Sequence, residues 1–253
     1  MKLILFLFIF PVLCFSQTIK VNYIFTTDSY QKQEILYADF NSSYYYNEPY
    51  AGLNSAKDKV EGTDITLVQK DIKLNKIEFF QEKESQTILY QLKYKGEKRL
   101  ITDSVPNIDW VIVKKEVKKI NGYICNKATT HFRGRDYEAW FTPEIPITFG
   151  PFKFKGLPGL ILILNSTGGN SNKSWIATNI ATLDKDFQMP PVCTNCINMT
   201  IREFVEYKQK LREEASKASI ARLPKGYANV KTSYKRLSIE TVYEWETEDE
   251  EKK

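Results

Sequence analysis

The dipeptide Asn121-Gly122 lies between two strand-length segments, Trp110 to Ile120 and Tyr123 to Phe132. Both residues tolerate positive φ, which the tightest two-residue hairpin turns demand, so this pair is the strongest short hairpin signal a sequence carries. It commits the middle of the chain to two antiparallel strands. Other segments repeat the theme. Val21, Tyr23 and Phe25 alternate with Asn22 and Thr26, as a half-buried strand does. Ile88, Tyr90, Leu92 and Tyr94 alternate again and run into Gly96-Glu97, a pair suited to a type II′ turn, with Leu100 to Thr102 as the returning partner. Gly134 marks another turn before Asp136 to Phe141. Consecutive hairpins of this kind build an antiparallel meander.

The pattern then breaks. Thr142 to Gly159 holds four prolines and three glycines. Proline cannot donate to a ladder, so this stretch is an ordered connection and not a central strand. Leu157-Pro158-Gly159-Leu160 fits a type II turn. Leu160 to Leu164 is wholly apolar, which predicts a strand buried on both faces, and Trp175 to Leu183 is expected to pair back. One helix is signalled. Thr200 and Glu203 form a capping box, Ile201, Phe204, Val205, Leu211 and Ala215 follow on one stripe, and Pro224 with Gly226 closes it. The expected fold is mainly β: an antiparallel meander or half-barrel sheet with one C-terminal amphipathic α-helix packed on it.

Residues 1–16 read as a cleavable signal peptide: Lys2 supplies the basic start, Leu3 to Phe15 the apolar run, and Ser16 the small exit residue. The run is too short to span a bilayer, which takes roughly 20 apolar residues. Cys14 follows the bulky Leu13, where a lipidation site wants a small residue. Residues 17–245 are then expected to form a single β-rich domain, and the acidic residues 246–253 a disordered tail. No later segment is apolar enough to cross a membrane. The formal charge of +5 falls by one when Lys2 is removed, and it is well mixed along the chain, which argues against nucleic acid as a partner.

Three cysteines remain after the signal: Cys125, Cys193 and Cys196. Export permits disulfides, and an odd count leaves one thiol unpaired within the chain. Cys193-Thr194-Asn195-Cys196 can close on itself, or either cysteine can pair with Cys125; two or three thiols holding a soft metal ion is a third option. Pro190-Pro191 before the CxxC is unlike a thioredoxin-type strand-to-helix junction. A zinc set that includes His131 is excluded by strand geometry, since Cys125 and His131 lie roughly 20 Å apart along one strand. His131 is the one histidine, and no GxSxG elbow accompanies it. Asp136, Glu138 and Glu144 read as surface charges, and Tyr44-Tyr45-Tyr46 as cover for a sheet edge. No phosphate-binding glycine loop, dinucleotide fingerprint, HExxH or EF-hand loop occurs. No catalytic residue, metal site or cofactor is therefore assigned.

The stretch from Ala139 through Trp140, Pro143, Pro146, Gly150-Pro151 and Gly156-Leu-Pro-Gly-Leu-Ile161, with Asn121 to Ala128 before it, resembles the signature of the GLPGLI family of exported Bacteroidota proteins. The resemblance is sharp from Asn121 to Leu164 and implies a secreted or envelope protein of unassigned activity. The residues allow two roles for the motif. It is a Pro/Gly-fixed corner that steers the chain into a central strand, or a rigid lip made by Trp140, Phe149, Pro151, Gly156, Leu157, Pro158 and Gly159 that meets a ligand or partner. The expected function is that of an exported protein, in the periplasm, at the outer membrane or in the medium. It would be non-enzymatic and would bind a hydrophobic small molecule or an envelope protein. An assembly factor without a small ligand is the alternative, and a thiol- or metal-dependent activity at Cys193 and Cys196 is the third reading.

Overall fold

The computed structural model describes residues 17–28, 30–48, 76–167, 172–183, 187–221 and 238–251. The apolar start, the polar residues 54–63, whose composition reads as a loop, and the helix-closing Pro224 and Gly226 lie outside them. In chain order the strands are β1 (Ile19–Thr27), β2 (Gln31–Ala38), β3 (Ser42–Asn47), β4 (Ile77–Glu82), β5 (Thr87–Tyr94), β6 (Glu97–Ser104), β7 (Val111–Ile120), β8 (Tyr123–Phe132), β9 (Arg135–Thr142), β10 (Leu160–Thr167), β11 (Lys173–Thr182) and β12 (Ile197–Thr200). Two helices follow, α1 (Ile201–Ile220) and α2 (Glu244–Glu251).

The twelve strands make one sheet, in the order β12-β6-β5-β4-β3-β2-β1-β11-β10-β9-β8-β7. Every ladder is antiparallel except β12 beside β6. The two halves of the meander meet where β1 pairs with β11, across nine residue pairs. Alternation sets which side chains face inward: Val21, Tyr23 and Phe25 on β1, Tyr137, Ala139 and Phe141 on β9, and Trp175 and Ala177 on β11 are all buried.

The turns explain why the strands pair as they do. Asn121 and Gly122 both take positive φ, 50° and 92°, as the dipeptide demands. Arg133 and Gly134 repeat this at 45° and 79°, and Lys95 and Gly96 at 51° and 86°. All three are therefore type I′ geometries. The β5–β6 turn thus lies one residue earlier than Gly96-Glu97 and is not type II′, because Glu97 already pairs with Tyr94. The Leu157–Leu160 corner also departs from its expected type. The Gly159 N–H donates to Leu157 O at 2.8 Å, a three-residue turn around Pro158, while the Leu160 N–H donates to Ile145 O at 3.0 Å.

The sheet is strongly curled. Asp103 on β6 and Arg133 at the β8–β9 turn are eight steps apart along the strand order to β9, which in a flat sheet would be roughly 40 Å. Instead two Arg133 nitrogens donate to the two Asp103 oxygens at 2.9 Å each. The sheet is an open half-barrel with no ladder joining β7 to β12.

The Pro/Gly connection from β9 to β10 fills the inside of this curl. Phe149, Phe152, Phe154 and Leu157 are all buried. Phe152 meets Phe79 of β4 edge-on at 5.2 Å, and Phe154 lies 4.5 Å from Tyr137 of β9. Gln81 of β4 donates to Phe152 O at 3.0 Å, and the Lys155 ammonium donates to Glu82 O at 2.8 Å, to Lys83 O at 3.2 Å and to Ser85 O. One connection thus touches strands from both halves of the sheet. Leu160 to Leu164 behind it is almost fully buried, as its unbroken apolar run predicts.

The route from β11 to β12 crosses the outer face. Phe187 stacks on Tyr37 of β2 at 4.4 Å, Ser42 of β3 contacts the Met189 sulfur, and the Cys193 N–H donates to Gln91 of β5 at 2.8 Å. Such a strap is what allows β12 to add in parallel beyond β6. Tyr44 and Tyr46 lie on this outer face, and Tyr45 faces the core. The capping box forms as its spacing predicts: the Glu203 carboxylate accepts the Thr200 N–H at 2.7 Å, and Thr200 Oγ1 accepts the Glu203 N–H at 3.2 Å. Along α1 the apolar stripe holds at Ile201, Phe204 and Val205, but Ala215 is exposed and Ser216 is buried in its place. The acidic run expected to be disordered is helical as far as Glu251. No described helix is long and apolar enough to cross a membrane.

Candidate functional site

Between β4, β5 and α1 lies a cavity of about 350 Å³. Ile77 and Phe79 of β4 and Tyr90, Leu92 and Tyr94 of β5 form one wall, presented together by strand alternation. Phe204 of α1 closes the opposite side, edge-on to Tyr94 at 5.5 Å and to Tyr90 at 6.5 Å. Phe152 of the connection and Ile239 and Tyr243 of the C-terminal segment complete the apolar lining. Lys153, Lys208, Ser238 and Glu240 supply its polar groups, and the backbone of Lys93, whose side chain alternates to the outer face of β5, borders it.

The base of the cavity rests on a buried charge cluster. The Lys153 ammonium donates to Asp103 at 2.6 Å and to both Glu240 oxygens at 2.9 and 2.7 Å. Arg133 donates from Nη1 and Nη2 to Asp103, from Nε and Nη2 to Glu244 at 2.9 and 3.2 Å, and from Nη1 to Glu240. The side chains of Arg133, Lys153 and Asp103 are no more than 2% exposed. Burial alone would raise the Asp103 carboxyl, but the Lys153 ammonium and Arg133 guanidinium outweigh it and hold it below its ordinary range. Burial holds the Tyr90 hydroxyl well above its ordinary range, with the Glu240 carboxylate adding to it. The cluster joins β6, the β8–β9 turn, the connection and the C-terminal segment. It therefore fixes the curl of the sheet and the floor of the cavity together.

None of the seven residues proposed as a lip lines this cavity. Phe149 and Leu157 are interior, Pro151 and Gly159 are buried, and Gly156 and Pro158 are exposed. Trp140 lies on the opposite face of β9 from Tyr137 and Phe141, with the Lys118 ammonium 3.9 Å from its ring centre and its Nε1–H donated to Glu138 at 2.9 Å. Gly156 borders a separate polar hollow of about 520 Å³ beside the β4–β5 turn. Two of the motif's glycines have packing reasons. A Cβ on Gly159, at φ +150°, would stand 2.1 Å from Thr142 O, and one on Gly150 would stand 2.7 Å from Ile161.

The cysteines resolve the open pairing: Cys193 and Cys196 form the disulfide, and Cys125 is a buried free thiol, raised by burial. The disulfide borders an outer-face hollow of about 310 Å³ with Lys76, Glu78, Gln91 and Lys98. His131 is exposed and pairs with Asp136 at 2.7 Å, and Glu138 pairs with Lys127 at 3.0 Å. Among the described residues no group of three or more His, Cys, Asp or Glu is placed to hold a metal ion. The cavity residues were not singled out from the sequence. Their signal was the β5 alternation together with Phe204, which put aromatic side chains on two elements that then face each other.

A curled, open antiparallel sheet wrapped on a Pro/Gly connection is the class of fold this chain defines. A family model described as "Protein of unknown function (Porph_ging)" matches residues 131–163, from the end of β8 through the connection into β10. Two crystal forms of PNGF-II share the fold. The C2 form aligns with a TM-score of 0.51 at 14% identity and the P21 form with 0.54 at 16%, each covering 75% of this chain. The chain spans about a third of the length of PNGF-II, 32% in both alignments. Comparison with curated proteins finds no match.

Proposed function

We propose that this chain is an exported cell-envelope protein that binds a hydrophobic ligand in the cavity between β4, β5 and α1. The observation that carries the reading is the cavity itself, lined by Ile77, Phe79, Tyr90, Leu92, Phe152 and Phe204. Its volume falls within the range of small-molecule pockets, and its few polar groups sit at defined points around an apolar wall. Lys153 and Glu240 at its base are engaged with each other, which suits a fixed binding surface. Export is supported by the signal-type start and by the Cys193–Cys196 disulfide, a bond at home in oxidising compartments. The family match covers residues 131–163, part of the segment whose motif resembles the GLPGLI signature, and membership of that family is proposed on the motif.

Binding of the neutral dye phenylnaphthylamine tests this reading. The chain from Gln17 onward is expected to bring the dye into fluorescence, and Leu92→Trp, which fills the cavity, to abolish the signal. A dye left dark by the unaltered protein contradicts the reading. A protein partner is the second reading, favoured by edge strand β7, where Val111, Ile112 and Val117 are 65%, 46% and 56% exposed.

A further inference from the structure

We infer that the free edge of β7 is a docking strip for an extended acidic segment of a partner protein, which adds to the sheet as a further strand. This rests on the second, protein-partner reading above, and the cavity plays no part in it. Among the described residues β7 ends the strand order on its side, so the outward backbone groups of its edge have no ladder partner. The edge is held from behind. At the hairpin tip the Asn121 side-chain amide donates to Ala177 O of β11 at 2.6 Å, and the Lys127 ammonium of β8 joins Glu116 of β7 to Glu138 of β9 at 3.0 Å each. A strand fixed in advance loses little freedom when it accepts another. Pairing with β8 breaks between Val113 and Val117, where Lys115 takes φ 73°. This bulge leaves residues 117–120 as the longest regular run of the edge.

Charge decides the occupant. β7 carries Lys114, Lys115, Lys118 and Lys119, all exposed, against one acid, Glu116. Glu116 is engaged with Lys127, and the Lys118 ammonium lies over the Trp140 ring. None of Lys114, Lys115 and Lys119 makes an ion pair among the described residues. Asp109, the acid just ahead of the strand, lies at the end away from residues 117–120. Beside the lysines, Val111, Ile112 and Val117 of β7 and Ile124 of β8 expose apolar side chains. A segment that alternates acidic and apolar residues matches both features, and its backbone completes the ladder. A second copy of this chain is disfavoured. Antiparallel pairing of residues 117–120 with themselves sets Lys118 of one copy opposite Lys119 of the other, and like charges directly opposite repel. An anionic lipid or a nucleic acid would meet the charge but leave the backbone edge unpaired.

Fluorescence anisotropy of labelled peptides, read at low salt on the chain from Gln17 onward, tests this. The probes are a peptide of alternating glutamate and valine, two versions of it N-methylated on one or the other set of alternate residues, and a peptide of alternating lysine and valine. The acidic peptide is expected to bind at least about tenfold more tightly than the weaker N-methylated version, the worth of one or two ladder hydrogen bonds, and the lysine peptide not to bind. Lys114→Glu with Lys119→Glu, both at exposed positions, should weaken the acidic peptide by about tenfold at an unchanged thermal midpoint. Leu92→Trp, which fills the cavity, should leave peptide binding unchanged. No binding of the acidic peptide, equal binding of all its versions, or binding that survives the charge reversal overturns the docking strip and leaves the cavity reading untouched. Binding lost in the Leu92 variant places the peptide in the cavity and also overturns the strip. A chain that sediments as a dimer, and that Val117→Lys turns to monomer, has a second copy on the edge and overturns it too.

Discussion

Asp103 is the most deeply buried carboxylate of the charge cluster, at 0% exposure. It accepts from Arg133 and Lys153 at once and has no access to water. Its folded carboxyl lies below the value of about 3.9 that an unfolded aspartate takes. The stabilisation it provides is therefore complete above that pH and is lost as pH falls through the lower, folded value. Glu34 carries the opposite sign. Burial raises its carboxyl in spite of Lys32 and Trp175, so its contribution is lost as pH rises through the folded value. Asp103→Asn is expected to destabilise the protein by roughly 3 kcal/mol or more at pH 7, the cost of breaking a buried pair. Urea midpoints of the variant and the unaltered protein should converge on acidification, because protonation removes the same charge. A gap that is as large at pH 3 as at pH 7 would show that Asp103 acts through shape and not through charge. The sequence carries one clue to this residue: Asp103 continues the inward alternation of Arg99 and Ile101. Arg133 and Lys153 come from distant turns and loops, and no spacing rule connects them to it.

The connection between β9 and β10 is the element that organises the fold. Its content of proline and glycine marked it as ordered and non-strand, and its role as a corner into β10 was legible. Its position inside the curl was not, because that depends on how far the sheet bends. The hexapeptide glycines differ in what they do. Gly159 presses on the Thr142 carbonyl, whereas a Cβ on Gly156 would meet only Trp110 Cδ1 at 3.9 Å. Gly159→Ala is expected to cost roughly 3 kcal/mol or more, combining a backbone region reserved for glycine with a backbone clash. Gly156→Ala, at φ +98°, should cost only about 1–2 kcal/mol. Thermal midpoints of the two variants check the order, and a Gly156 variant less stable than the Gly159 variant would contradict it.

At the scale of the molecule, local signals predicted the elements and long-range contacts decided the architecture. The Asn-Gly and Arg-Gly turns, the alternation of Tyr and Phe, the capping box and the CxxC all formed where short-range chemistry places them. β2, β4 and β12 lacked such signals: β2 reads Gln-Lys-Gln-Glu at its start, and β12 is four residues long beside a parallel partner. The curl and the cavity arise from contacts between side chains 50 to 111 residues apart, such as Lys153 with Asp103 and Arg133 with Glu244. No window of sequence contains them. The most direct test of the account is a pair of mass spectra, native and denaturing, of the full-length chain recovered from the periplasm of an expressing cell. The account predicts a chain that begins at Gln17 and is lighter by the two hydrogens of one disulfide. Under native conditions it should also carry an adduct of lipid-like mass that departs on denaturation. An adduct-free chain in both spectra, from cells whose lipids were available to it, would contradict the claim that the cavity holds a hydrophobic ligand.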